Sequence, residues 1–164
     1  MNTDQNSVFA KLMKLPDIDQ AAAQYQRMAD ELQTALGDQI PALKHWTLTN
    51  EQIRAGCGND YPGIGSAGED LSLENRVVPV KLSDADYERA LGIVGAIATK
   101  YGFTSQPQRM HDAPGSHDAF FHNQADASSI QFGTDKQTLI GITVGCHLTA
   151  STKKLGHLPP KPSY

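Results

Sequence analysis

The chain has 164 residues, of which 20% are charged and 7% aromatic, and a formal charge of −4. That length allows one domain with a real core, and the composition excludes both a disordered chain and a cysteine-dense miniature fold. No Lys/Arg cluster is longer than Lys153-Lys154, so the basic patch that nucleic acid or an anionic membrane requires is missing. The longest small-and-apolar stretch, Gly92 to Ala98, is far short of a membrane span.

From the start of the chain, Val8, Phe9, Leu12, Met13 and Leu15 fit a short amphipathic helix capped near Asn6 or Ser7. A stronger helix is predicted after Pro16, where Asp17 and Gln20 have capping-box spacing and Gly37 offers a left-handed stop. Its stripe of Ile18, Ala21, Ala22, Tyr25, Met28, Ala29, Leu32 and Leu36 recurs every three or four residues, the mark of a core-facing helix. Residues Lys44 to Thr49 alternate as a strand, with the single Trp46 half-buried. The Gly-, Asn-, Asp- and Ser-rich segment from Asn50 to Glu74 reads as a long loop. A strand follows over Arg76 to Leu82, in which Pro79 suggests an edge or a bulge because it cannot donate to a ladder.

Ser83 and Asp86 have the spacing of a second capping box. The helix they open carries Tyr87, Ala90, Leu91, Val94, Ile97, Ala98 and Tyr101 on one face and ends at Gly102. Strands are then expected over Phe103–Arg109 and His117–His122. A hairpin completes the set, with arms Ser128–Gly133 and Thr138–Cys146. On its second arm Ile140, Ile142, Val144 and Cys146 share a face under period-two alternation. Together these elements predict an α+β fold, a two-layer sandwich of two main helices on a mostly antiparallel sheet of about five or six strands. Residues 1–150 form this single domain. Residues 151–164, which include Pro159, Pro160 and Pro162, form a Pro-rich tail expected to be extended or disordered.

Cys57 and Cys146 are the two cysteines of the chain, 89 positions apart. No C-x-x-C accompanies them, which disfavours a zinc or redox site. They read as one long-range disulfide, with two unrelated buried thiols as the competing reading. Closing a loop of that length stabilises a fold by about 4–5 kcal/mol in the chain-entropy model. Oxidation requires export, yet Met1-Asn2-Thr3-Asp4-Gln5 is polar from the first residue. The expectation is therefore a mature region whose signal peptide has been removed.

The other motifs weaken on inspection. Gly63-Ile64-Gly65-Ser66-Ala67-Gly68 matches G-x-G-x-x-G but lacks the strand before and the helix after that a pyrophosphate site needs. His111, His117 and His122, beside Asp112 and Asp118, invite a metal reading. However, positions 117 and 122 fall on opposite faces of a strand unless a bulge intervenes. His147 reads as a packing or rim residue. Ser66 lacks a nucleophile elbow, and Asp60, Glu69 and Asp70 lack calcium-loop spacing. No catalytic, cofactor-binding or metal-ligating residue is assigned.

The order of these features resembles the mycobacterial LppA/LppV-type lipoproteins. The resemblance runs from the first long helix into Pro41–Trp46 and the Cys57 loop, through Ser83-Asp84-Ala85-Asp86-Tyr87 and Lys100-Tyr101-Gly102. It continues through the hairpin ending Gly145-Cys146 to the tail Gly156-His157-Leu158-Pro159-Pro160-Lys161-Pro162. It implies export, acylation of a lipobox cysteine on the precursor, anchoring on the outer face of the membrane, and a Cys57–Cys146 bond. That lipobox cysteine is absent here. The family carries no catalytic residues to transfer. The function expected is a non-enzymatic envelope module that binds a protein, wall or lipid partner through loop 50–74 and the tail, without nucleic acid. The alternative is a small-ligand or lipid carrier with an apolar cavity between helices and sheet, for which Gly92, Gly95, Gly141 and Gly145 would leave room. An enzyme site assembled from distant loops would leave no mark in a single sequence.

Overall fold

A computed structural model describes residues 3–58 and 61–160. Four helices, α1 (Thr3–Met13), α2 (Ile18–Gln39), α3 (Asp84–Lys100) and α4 (Ala150–Leu155), accompany eight strand segments. These are β1 (Thr47–Thr49), β2 (Ile53–Gly56), β3 (Gly68–Ser72), β4 (Asn75–Val78), β5 (Gln108–Ala113), β6 (Ser116–Asn123), β7 (Ser128–Thr134) and β8 (Thr138–Leu148). The fold is α+β, with α2 and α3 packed on one face of an antiparallel sheet.

The eight segments occupy six positions across the sheet. β3 and β4 both pair with the same side of β8, β3 with its C-terminal half and β4 with its start. β1 and β2 repeat the arrangement one position further out, on β4 and β3. β7, β6 and β5 follow on the other side of β8 as a simple meander. The segment expected as a loop over 50–74 therefore holds two strands. Their short length and polar sequence hid them, since β2 is exposed along all four residues.

Capping residues start the long helices where the sequence places them. Asp17 and Gln20 close a reciprocal box, with the Gln20 N–H on Asp17 Oδ1 at 2.9 Å and the Asp17 N–H on Gln20 Oε1 at 3.1 Å. Ser83 Oγ accepts from the Asp86 N–H at 3.1 Å to cap α3. Gly102, at φ +93°, ends it. Gly37 does not stop α2, which continues to Gln39. A Cβ at Gly37 would stand 3.0 Å from the Leu43 carbonyl oxygen, so this glycine admits the 3-10 turn Pro41–Leu43. That turn delays β1 to Thr47, and Trp46, half-buried, donates from Nε1 to the Leu43 carbonyl at 2.7 Å.

Other boundaries also moved. α1 begins at Thr3, before the expected cap, because its polar first turn costs little on an exposed helix. Leu12 is its buried anchor. β4 ends at Val78, so Pro79 lies past the ladder and breaks none of it. The strand expected over Phe103–Arg109 begins only at Gln108, because Phe103 turns into the core beneath the α3 terminus. The tail opens with a helix: Thr149 caps α4 and Gly156, at φ +77°, ends it before the prolines begin. Asp60 and residues 161–164 lie outside the described residues.

The core lies between α2, α3 and the sheet. Met28, Leu32, Leu36, Val94, Ala98, Phe121, Ile130, Phe132, Ile140 and Val144 are all essentially inaccessible there. Arg76 snorkels along it, held by Asp30 at 2.7 Å, by Gln26 at 2.8 Å and by Gln33. Cys146 does not join Ile140, Ile142 and Val144. The pairs Leu71–Val144 and Glu69–His147 span two residues on β3 but three on β8, so a bulge flips the strand's last turn. His147 then continues the core face, while Cys146 and Leu148 enter a second cluster with Leu12, Cys57, Ile64 and Ala67.

Candidate binding cleft

The second cluster is built around a Cys57–Cys146 disulfide with Cα atoms 5.8 Å apart. Around it the Gly-rich segment folds into consecutive tight turns. The Tyr61 N–H bonds to the Cys57 carbonyl at 2.7 Å, Ile64 to Tyr61 at 2.9 Å, and Ala67 to Ile64 at 3.0 Å. Gly65 sits at φ +53°, a conformation that favours glycine. A Cβ at Gly68 would lie 3.1 Å from both disulfide sulfurs, so this position must stay small for the bridge to cross β3. Residues 65–67 are a 3-10 turn that leads into β3 rather than a helix, which removes the geometry a dinucleotide site requires.

The C-terminal segment returns to this same loop. The Thr149 N–H bonds to the Ala67 carbonyl at 3.0 Å, and Lys153 Nζ reaches the Leu15 carbonyl. Leu158 is half-buried against the second cluster. Between the two segments lies a cleft of about 590 Å³, walled by residues 62–67 on one side, by 157–160 on the other and by Gln5 at one end. Pro62, Ile64, Leu158, Pro159 and Pro160 make most of its wall apolar, and among the described residues that line it His157 is the titratable one. Ser66 is exposed at its rim. A further hollow of about 490 Å³ lies beside the bridge, where Tyr61 and Asp70 face Thr143, Gly145 and Cys146.

Two polar centres lie elsewhere. In the first, His117 on β6 is buried against α3, stacked on Tyr87 with centroids 4.6 Å apart. Its Nε2 faces Asp84 Oδ1 at 2.7 Å, and its Nδ1 faces Asp112 Oδ1. The Asp84 bond raises the affinity of this imidazole for its proton above the ordinary value; burial opposes the effect and Asp112 adds to it. Asp84 is held below the usual carboxylate range by the Gly115 N–H and by His117. The expected opposite-face relation holds, since His122 is exposed on the other side, 3.1 Å from Gln108 Oε1. His111 is also exposed. Among the described residues, no group of three or more His, Cys, Asp or Glu side chains is placed to hold a metal ion.

In the second centre, His147 Nε2 meets Asp126 Oδ2 at 2.8 Å and its Nδ1 meets the Pro16 carbonyl at 2.8 Å. The Tyr25 hydroxyl donates to the same carboxylate oxygen at 2.7 Å. Burial by itself would push the Asp126 carboxyl up, but the bonds from His147, Tyr25 and Ser128 prevail and leave it below the usual range. Burial and the Asp126 carboxylate push Tyr25 well above an ordinary phenol. The sequence reading missed Asp84 and Asp126. The Pro114-Gly115 turn, which registers Asp112 opposite His117, was the available signal for the first centre. The second joins residues about a hundred positions apart and leaves no local trace.

The Tyr25 hydroxyl lies against the Asp126 carboxylate but is buried, and the cleft presents a largely uncharged wall among the described residues. What the architecture defines is an α+β domain with a cleft at one end, fastened by a disulfide. The sequence pattern of the LppA family, described as "Lipoprotein confined to pathogenic Mycobacterium", matches residues 2–150, and the chain belongs to that family. A lipoprotein family implies a membrane-anchored envelope protein. Among curated proteins none matches. Among solved structures, the putative lipoprotein LppA from Mycobacterium tuberculosis is similar at a TM-score of 0.71 and 16% identity, covering 96% of each chain. A DUF4853 family protein from Actinomyces odontolyticus is similar at a TM-score of 0.51 and 12% identity, over 83% of this chain and 71% of that one. At these identities the likeness is one of fold. Among the described residues no helix is long and apolar enough to cross a membrane.

Proposed function

We propose that this chain is a non-catalytic binding module of the cell envelope, held at the outer face of the membrane by a lipid anchor on its precursor. It captures a protein or wall partner through the cleft at its disulfide end. One observation carries the reading: the Gly-rich loop and the Pro-rich tail, the two segments that alone read as recognition elements, converge on a single apolar cleft. The bridge and the α4 cap hold both walls in place, so little ordering would be needed on binding. The interior between α2, α3 and the sheet is occupied by fully buried side chains, which weighs against a carrier with its ligand there.

A photo-crosslinking residue placed at exposed Ser66, and separately at Leu158, should capture the same envelope partner in cells. Ser66→Trp, which fills the cleft from its rim, should abolish capture from the Leu158 position. Equal capture of that partner from His122, on the exposed sheet face, or undiminished capture by the Trp variant, would place the binding surface elsewhere.

A further inference from the structure

At the end of the sheet remote from the cleft, one imidazole adds to the β5–β6 ladder and the Arg109–Glu88 pair in joining three elements. Asp84 begins α3, Asp112 lies on the edge strand β5, and His117 lies on β6 just past the Pro114-Gly115 turn. His117 is opposite Asp112 in the β5–β6 register. The Gly115 N–H at the hairpin tip donates to Asp84 Oδ1 at 2.7 Å, the same oxygen that meets His117 Nε2 at 2.7 Å. Both ring nitrogens therefore face carboxylates, which only accept, and both bonds can form only when each nitrogen carries a proton. We propose that Asp84, His117 and Asp112 form a proton-operated latch. It fastens the β5–β6 hairpin tip to the start of α3 while His117 is an imidazolium, and releases the tip when one ring proton is lost.

The surroundings suit the role. Tyr87 of α3 stacks on the ring and is fixed in turn by its hydroxyl bond to the Phe132 carbonyl at 2.7 Å, so His117 has little room to turn away from its partners. The other charged groups nearby are accounted for. Arg109 on β5 is engaged by Glu88 of α3 at 2.6 and 2.7 Å and lies 3.6 Å from Asp112. Lys81 approaches the Gly115 tip and favours an ionised Asp84. Asp118 on β6 is held by Gln131 at 3.0 Å. Once the ring is neutral, one nitrogen keeps its N–H bond while the other turns a lone pair towards a carboxylate oxygen, so one of the two bonds that hold the tip is replaced by a repulsion.

The direction follows from linkage. A histidine that holds its proton more tightly when folded stabilises the closed form fully below the free imidazole value, about 6.5, and loses that contribution as pH rises through the folded value. On the acid side Asp84 stays ionised until pH falls below the usual carboxylate range. The latch is thus closed in mild acid and opens towards alkaline pH.

The test is an NMR titration of the whole chain from about pH 5 to 9, following the His117 ring Cε1–H shift and the exchange protection factor of the Gly115 amide. Gly115 protection should fall by about five- to tenfold with the same midpoint as His117. Asp84→Asn retains an oxygen acceptor for Gly115 and should move the His117 midpoint down towards the free value. His117→Gln should leave Gly115 protection without a step. The latch is refuted by a Gly115 protection factor with no step at the His117 midpoint, by a step that survives His117→Gln, or by an unmoved His117 midpoint in Asp84→Asn.

Discussion

His147 and Asp126, 21 residues apart in sequence, form a buried pair at 2.8 Å with side chains 2% and 4% exposed. The carboxylate is completed by Tyr25 and by the Ser128 N–H at 3.0 Å, and the other face of the imidazole by the Pro16 carbonyl. This centre ties the entry to α2, the β6–β7 turn and the bulged end of β8 into one unit. Removing one partner strands a buried charge. His147→Ala should therefore cost about 3–5 kcal/mol by urea unfolding at neutral pH.

The same pair predicts an acid limb. Asp126 is held below the usual carboxylate range, so its contribution is present above the unfolded value and disappears as pH falls through the folded one. Stability measured from about pH 5 down towards pH 2 should decline less steeply in Asp126→Asn than in the parent chain, although the variant starts from a lower value. An unchanged slope would show that other carboxylates govern acid unfolding.

Two glycines in one helix should respond with opposite sign. At Gly92 nothing lies within 4 Å of an added Cβ, and α3 is regular there, so Gly92→Ala should stabilise by about 0.5–1 kcal/mol. At Gly95 the Cβ would stand 3.1 Å from the Ser105 carbonyl oxygen and 3.2 Å from Phe121, so Gly95→Ala should destabilise or at best be neutral. Thermal melts of the two variants side by side separate helix propensity from packing.

The bridge predicts two results. Native protein denatured without reductant should titrate no free thiol, since Cys57 and Cys146 are bonded and are 1% and 5% exposed. The double variant Cys57→Ala, Cys146→Ala should lose about 4–5 kcal/mol in the chain-entropy model for a closure of 89 residues. A loss well under that would mean that the unfolded chain already holds the two segments near each other.

The first three helices and the strands β6 to β8 were legible because their signals are local. Asp17 with Gln20, Ser83, Gly102 and the apolar stripes lie within a few residues of what they determine. β2 and β3 were not, because strands of four and five residues carry too few alternations to register against Gly and Asn. The bulge at the end of β8 is invisible in the run Val144-Gly145-Cys146 and becomes necessary only when Asp126 is placed. A Cβ at Gly145 would fall 1.7 Å from the Asp126 carbonyl oxygen. The Cys57 loop and the tail were singled out separately, yet nothing in either segment says that they face each other.

β8 is the last strand to be synthesised and also the one on which β3, β4 and β7 all pair. A chain emerging from its ribosome therefore completes α2, α3 and seven strand segments before the partner that joins them exists. Until residue 148 has emerged, β3 and β4 lack their partner strand, so the two halves of the sheet stay unjoined through nearly the whole of the chain's production. A fragment ending at residue 137 should show no cooperative unfolding transition in urea, whereas one ending at 156, with α4 complete, should regain it.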